Sequence, residues 1–86
     1  MTRKKLEGLA PRRKRCGLTQ EALAATLGVP RATVASWEVG LSWPPARMLP
    51  EIAGALLCTV DELYYTPEED AARVLAAVAA AGGGDG

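Results

Sequence analysis

The chain has 86 residues, of which 49% are hydrophobic and 23% charged, and it contains no His and no Phe. This length suffices for one compact domain but not for two, and no apolar run approaches the roughly 18–20 residues that span a membrane. The N-terminus is basic but lacks the apolar segment of a secretory signal, so we expect a cytoplasmic protein that does not enter a membrane.

The formal charge is zero overall, but its distribution along the chain is uneven. Residues 1–47 hold nine basic and three acidic residues, a net charge of +6, whereas residues 48–86 hold one basic and seven acidic residues, a net charge of −6. A chain polarised in this way can bring one end to a polyanion and keep the other end away from it. Alternatively, the basic cluster at residues 12–15 is an ordinary solvent-exposed helix face.

The sequence offers no cluster of residues for metal binding or catalysis. Cys16 and Cys58 are far apart and have no second Cys and no His nearby, whereas a metal site needs three or four such ligands. We therefore expect no metal and no cofactor, and we interpret both cysteines as small buried packing residues in a reducing compartment. Since neither cysteine has an obvious activating base and no Gly-rich phosphate loop occurs, the sequence predicts a protein that is not an enzyme.

Gly, Pro and Thr mark the points where helices are expected to begin and end. Thr19 is a good N-cap, Gly28 suits the left-handed residue that ends a helix, and Pro30 suits a first helical turn. Together with the spacing of the apolar residues, these signals predict a flexible basic arm followed by five short helices. We place the arm and the helices, in chain order, at residues 1–8, 10–16, 19–27, 30–38, 47–57 and 60–65.

A sixth helix is predicted over residues 67–81, with Pro67 and three acidic residues in its first turn. Four apolar residues follow one face of this helix: Ala71, Val74, Leu75 and Val78. That face fits either packing against its own chain or contact with a partner. The Gly-rich residues 82–86 are expected to form a disordered tail. The predicted architecture is therefore all-α: a compact five-helix domain over residues 9–66 with an added C-terminal helix.

The stretch from residue 20 to residue 39 combines the features that a helix-turn-helix requires. Two helices that cross at close range need a small residue at their contact, which Ala24 provides, and the sharp turn between them needs a residue that tolerates positive φ, which Gly28 provides. The core beneath the pair needs apolar residues at fixed offsets, here Leu23, Leu27, Val29, Val34 and Trp37. Each feature is common alone, but their combination indicates a DNA-binding helix-turn-helix.

The sequence resembles the phage-repressor type of helix-turn-helix protein, the Cro and lambda-repressor group known as XRE-type regulators. The resemblance is carried by GLTQEALAATLGV, RATVASWEVG and LPEIAGALLCTVDEL, which together cover about residues 9–64. It implies a sequence-specific transcriptional regulator, which we interpret as a repressor. Such a protein would insert helix 30–38 into the major groove of an operator-like duplex, and we expect it to bind as a homodimer.

The resemblance also implies roles for individual residues. Gln20 would contact a backbone phosphate and help to orient the reading helix, and Arg31 would contact a base directly, for example guanine. Arg13 and Glu38 match a family pair that forms an internal salt bridge between the first and third helices. The other implied DNA contacts come from small or hydroxyl side chains of the third helix and from the basic cluster: Ala32, Thr33, Ala35, Ser36 and Arg12, supplemented by Lys14 and Arg15.

Simpler interpretations of these residues stay open at this point. Arg31 could touch only phosphate, and Gln20 could be an exposed residue at a helix start. Arg13 and Glu38 could be two unrelated surface charges. Each alternative removes one specific contact but leaves the helix-turn-helix prediction in place.

The sequence departs from the family pattern in three places. Val39 ends the third helix where a basic residue is common, and the loop after Gly40 holds no positive charge. Leu57 replaces the glycine usually found before the fifth helix, so we expect that helix end to close differently. Since lost phosphate contacts weaken binding and its salt dependence, we expect tight binding only by a dimer on a paired site, assisted by the basic arm.

Three other functions fit the same sequence. An antitoxin of a toxin–antitoxin pair and a restriction–modification controller would both have the same helix-turn-helix and differ only in their partners. A protein-interaction module could have kept the fold and lost its affinity for DNA. The uncharged loop favours this last function, whereas Gln20, Arg31 and the basic cluster at residues 12–15 count against it.

Overall fold

The computed structural model describes residues 5–83 of the chain, and these residues form helices and no β-strand. The all-α class predicted from the sequence is confirmed. Two short 3-10 helices, Ala46–Met48 and Asp61–Tyr64, precede the last two α-helices. The α-helices are α1 (Leu9–Arg15), α2 (Gln20–Leu27), α3 (Arg31–Val39), α4 (Leu49–Ala55) and α5 (Pro67–Gly83).

The predicted basic arm is wrong for residues 6–8, and residues 1–4 lie outside the described residues. Leu6 is a core residue with 2% of its surface exposed, and Gly8 is also buried. The Gly8 amide donates to the Leu63 carbonyl at 2.9 Å. A Cβ at Gly8 would collide with the carbonyl oxygen of Glu62 and lie 2.9 Å from that of Tyr65. The chain is therefore fixed in place before α1. The free energy gained by burying Leu6 outweighs the tendency of its charged neighbours to stay in solvent.

The hydrophobic core of residues 5–83 lies where α1, α2, α3 and α4 meet the second 3-10 helix. Ala24 is buried in the closely packed pair α2 and α3, where a small side chain lets two helices approach. Gly28 ends α2 at φ 72°, in the left-handed region that favours glycine, and this turn sets the direction of α3. The core consists of Leu6, Leu9, Leu23, Ala24, Val34, Trp37, Ile52, Ala53, Leu56 and Leu63.

The predicted helix over residues 47–57 is divided in the structure, and its expected ending is wrong. A 3-10 turn at Ala46–Met48 precedes α4, which ends at Ala55. Leu57 then takes the left-handed conformation itself, at φ 56°, and two backbone hydrogen bonds close the end. The Leu57 amide donates to Gly54 O at 3.3 Å and the Cys58 amide to Ala53 O at 2.9 Å, the usual glycine-type closure at a conformational cost to a leucine.

The predicted fifth helix over residues 60–65 is a 3-10 helix, Asp61–Tyr64. Reciprocal hydrogen bonds between Thr59 and Glu62 lead into it, at 2.8 and 3.2 Å. Such a short segment between two anchored ends favours the tighter 3-10 winding. The last helix, α5, extends to Gly83, past the predicted end at residue 81, and residues 84–86 of the predicted tail lie outside the described residues.

The helices between residues 5 and 83 include none that combines the length and apolar character needed to cross a membrane.

Candidate nucleic-acid interface

One face of α3 packs in the hydrophobic core, and the opposite face is turned to solvent. Val34 and Trp37 are buried. Because successive residues are about 100° apart around a helix, positions 32, 35, 36 and 39 lie opposite this buried pair. Two of them, Ala32 and Val39, are exposed, and Ala35 and Ser36 are half-buried.

A chain of four polar side chains connects α1, α2 and α3 beside this face. Arg13 Nε donates to Glu38 Oε2 at 2.6 Å, and Arg13 Nη2 donates to Glu38 Oε1 at 3.2 Å. Gln20 Nε2 donates to Glu38 Oε1 at 2.9 Å, and Arg31 Nη1 donates to Gln20 Oε1 at 3.1 Å. The structure thus forms the predicted Arg13–Glu38 pair, and it also joins Gln20 to Arg31, two residues to which the sequence assigned separate roles.

The two ends of this polar chain differ in burial. The side chains of Arg13 and Glu38 are 9% and 7% exposed, and Arg13 Nη1 also donates to the Leu18 carbonyl at 2.8 Å. Arg31, at the other end, is exposed. The buried end is therefore a structural anchor, whereas the exposed end leaves further guanidinium donors of Arg31 facing solvent.

The carboxyl group of Glu38 is held in its ionised form. Burial alone would raise its pKa, but the hydrogen bonds from Arg13 and Gln20 outweigh burial, and the pKa lies below its ordinary value. The positive charge of Lys14 acts in the same direction. Hence the group that orients Gln20, and through it Arg31, stays charged at neutral pH.

The other predicted contacts on α3 differ in accessibility. Ala32 is exposed, and Thr33 and Ala35 are half-buried. The Ser36 hydroxyl lies 2.7 Å from the Ser42 hydroxyl in the following loop. Ser36 therefore links α3 to this loop, and one of the two hydroxyls donates a hydrogen bond to the other.

The structure does not support the predicted phosphate contact of Arg12. Its guanidinium lies 2.6 Å from Asp70 and 3.3 Å from Glu62, and only 11% of the side chain is exposed. Arg12 Nε also donates to the Glu62 carbonyl at 3.4 Å. Both acidic partners come from the C-terminal half of the sequence, and they already neutralise the charge of Arg12. Arg12 therefore joins α1 to α5.

Two residues that were not predicted as part of the site lie on or beside α3. Carbon atoms of the Lys5 side chain lie 3.6 Å from the position that a Cβ on Gly40 would take, so Lys5 runs past the C-terminal end of α3. Val39, 63% exposed, lies on the outward face itself. Val39 follows Ala32 by seven residues, so the helical spacing could have predicted that the two lie on one face. The position of Lys5 could not have been predicted in this way, because it depends on the burial of its neighbour Leu6.

Comparison with protein families identifies the region that contains this site. A family model described as helix-turn-helix matches residues 12–63, more than half of the 86-residue chain. The match includes α2, α3 and the four-residue polar chain, and it ends before α5. Neither the comparison with curated proteins nor the comparison with solved structures found a match. The chain belongs to the XRE-type helix-turn-helix family of DNA-binding transcriptional regulators.

Proposed function

We propose that this regulator is a repressor, which acts by occupying an operator-like DNA site through sequence-specific contacts from α3. The observation that carries the proposal is the hydrogen bond between Arg31 and Gln20. It restricts an exposed arginine at the first turn of the outward-facing helix, next to the small Ala32. A guanidinium held in one orientation suits a bidentate contact with guanine in the major groove.

The small side chains on α3 fit the same role. Ala32 and Ala35 leave room for the helix to approach base edges closely, and they offer apolar contact to a thymine methyl group. Val39 extends this apolar strip by one turn. In this proposal Arg31 recognises a base by hydrogen bonds, and the apolar strip fits closely against the floor of the groove. Gln20 contacts a phosphate.

Phosphate contacts in this proposal come from cations around α3 and not from the uncharged loop after Gly40. Lys5 and Lys14 are exposed, and the charge of Lys14 acts on Glu38 of α3. Arg15 is exposed as well, but its guanidinium lies 3.9 Å from Asp70 of α5. Lys5 lies at the end of α3 where the loop lacks charge, so it is placed to replace the missing contact. Each such contact contributes about one counterion to the salt dependence of binding.

The protein is proposed to bind as a homodimer in the cytoplasm. A nine-residue reading helix reaches only a few base pairs, and two copies would place two such helices in successive grooves roughly 34 Å apart. The expected site is therefore a palindrome with half-sites about ten base pairs apart.

Selection of bound duplexes from a random pool, followed by titration at two salt concentrations, tests this function. We expect Arg31→Ala to weaken binding to the selected site about 5- to 150-fold and to relax the preference at one base pair, because one bidentate contact is worth about 1–3 kcal/mol. Lys14→Ala is the matched control: it should weaken binding to all sequences equally and lower the salt slope by about one.

The same titration distinguishes the alternatives. Equal loss of affinity on every sequence for Arg31→Ala would make Arg31 a phosphate contact. Absence of binding to any duplex at low salt would favour a protein-interaction module, for which Val39 and Leu41 offer exposed apolar surface. An antitoxin or a restriction–modification controller would bind DNA as the repressor does and differ in its partners.

A further inference from the structure

The last helix meets the rest of the chain through few side chains. Among its residues from Pro67 to Gly82, only Asp70 is not exposed, and 14% of the Asp70 side chain is exposed. The radius of gyration is 14.7 Å, whereas a compact chain of this length would have about 12 Å. The helix α5 therefore projects from the core and is held to it near its first turn.

Asp70 lies among three arginine side chains. The Arg12 guanidinium, on α1, donates to Asp70 Oδ1 at 2.6 Å, and only 11% of the Arg12 side chain is exposed. Arg15 and Arg73 lie farther from Asp70, both at 3.9 Å, and their side chains are 61% and 47% exposed. Because exposed ion pairs contribute little, the bond from Arg12 is the one that holds α5 to the core.

Other contacts of α5 stay within the helix or close to its connection. Thr66 and Glu69 exchange reciprocal hydrogen bonds at 2.9 and 3.1 Å, and this capping box would move together with α5. The Arg73 guanidinium lies 4.3 Å from the centre of the Tyr65 ring, but Tyr65 belongs to the connection itself. Arg73 also lies 3.9 Å from Glu62, in a pair that is too exposed to be strong.

The connection before α5 and the space beside it permit movement. Tyr65 and Thr66 join the second 3-10 helix to α5, and Tyr65 is extended, with φ −88° and ψ 137°. Pro67 keeps the preceding residue extended and has no amide donor. An open cleft lies between α5 and the second 3-10 helix. It is lined by Glu62, Arg73, Val74 and Ala77, so α5 can turn toward this side without displacing core residues.

We propose that α5 is a hinged helix with one electrostatic latch, the bond between Arg12 and Asp70. While the latch is closed, α5 projects from the core in one direction. When the latch opens, α5 turns as a unit about Tyr65 and Thr66, and the helix-turn-helix core keeps its fold. This device goes beyond the proposed function, because it requires neither DNA nor a second copy of the chain.

An ion pair of this kind determines direction more than strength. Burial takes the charges of Arg12 and Asp70 out of water, and this cost offsets much of their attraction. The charged hydrogen bond nevertheless requires a definite geometry, so the closed state has one orientation. The core residues all precede α5. Opening of the latch should therefore be a local event that needs much less free energy than global unfolding.

Measurement of ¹⁵N relaxation on the full chain tests the latch. In the wild type, the order parameters of residues 71–80 should match those of α2 and α3, at about 0.85. Asp70→Lys places a positive charge among three arginines and should lower these order parameters below about 0.6. Glu68→Lys is the matched control, because it makes the same charge change at an exposed position of the same first turn. It should leave the order parameters at the wild-type value.

Arg12→Met opens the latch from the other side. Methionine keeps a long side chain that packs well but removes the charge that binds Asp70, while Arg15 and Arg73 stay in place. The order parameters of residues 71–80 should fall as they do in Asp70→Lys. An α5 that stays rigid in either variant would overturn the proposal, because another contact would then fix the helix.

Two further measurements distinguish a turning helix from an unfolded one. The ¹³Cα chemical shifts of residues 71–80 should stay helical in every variant, and the thermal transition of the core, followed by tryptophan fluorescence, should stay within about 4 °C of the wild type. Random-coil shifts or a less stable core would contradict the hinge. Low order parameters in the wild type, or equally low values in Glu68→Lys, would contradict the latch.

Discussion

Replacing Glu38 by Gln tests the buried ion pair that anchors α3 to α1. The side chain is 7% exposed and accepts two hydrogen bonds from Arg13 and one from Gln20. Glutamine keeps the size and can accept part of these bonds, but it leaves the buried Arg13 charge without a countercharge. Hydrogen bonds to charged groups are worth about 1.5–3 kcal/mol each, and breaking a buried pair costs about 3–5 kcal/mol. Since the shape is kept, we expect a loss of about 2–3 kcal/mol in the free energy of unfolding.

The loss should depend on pH in a definite direction. The pKa of Glu38 is lowered in the folded state, so its contribution is fully present above its unfolded pKa, for which the ordinary value is 4.5. The contribution disappears as the pH falls through the folded pKa. The stability difference between the wild type and Glu38→Gln should therefore be largest at pH 7 and shrink below about pH 4.5.

Urea unfolding followed by far-UV circular dichroism, at pH 7 and at pH 3, measures this difference. Other carboxyl groups with lowered pKa, such as that of Glu62, titrate in both proteins and cancel. Glu21→Gln, an exposed acid in the first turn of α2, is the control and should cost less than about 1 kcal/mol. A Glu38→Gln variant as stable as the wild type at pH 7, or a loss that does not change at pH 3, would refute the reasoning.

Two further predictions concern the backbone. Gly8→Ala should lower the free energy of unfolding by at least about 1–3 kcal/mol, because the new Cβ would collide with the fixed carbonyls of Glu62 and Tyr65; a thermal melt unchanged from the wild type would contradict this. Leu57→Gly should raise the free energy of unfolding by about 1 kcal/mol, because Leu57 is 86% exposed and has a left-handed φ of 56°. Urea unfolding checks it, and a destabilised variant would mean that the exposed leucine has a role in folding.

The parts of the fold that the sequence predicted are those that local chemistry determines. The Thr19 hydroxyl accepts from the Ala22 amide at 3.0 Å, as an N-cap does. Gly28 and Gly40 take the positive φ values that end α2 and α3. Such signals involve residues within one or two turns, so a single sequence displays them. The helix-turn-helix and the placement of Arg31 followed from them.

The parts that the sequence reading missed depend on contacts between distant residues. Arg12 and Asp70 are 58 positions apart, and nothing near Arg12 indicates that its charge is already paired. Likewise, Leu6 lies among charged residues, and its burial follows from the way Gly8 meets the second 3-10 helix. At Leu57 the two hydrogen bonds of the helix end outweigh the local preference for glycine. A leucine at this position therefore adds backbone strain but leaves the closure of α4 unchanged.

The most direct test of the central claim is to map the DNA contact on the chain by NMR. Adding the selected duplex to the ¹⁵N-labelled protein should shift the amide signals of Gln20 and of residues 31–39 most strongly. Residues 74–83 of α5 should change little. If the shifts instead concentrate on α5 or the loop around Leu57, with the signals of α3 unchanged, then α3 does not read DNA.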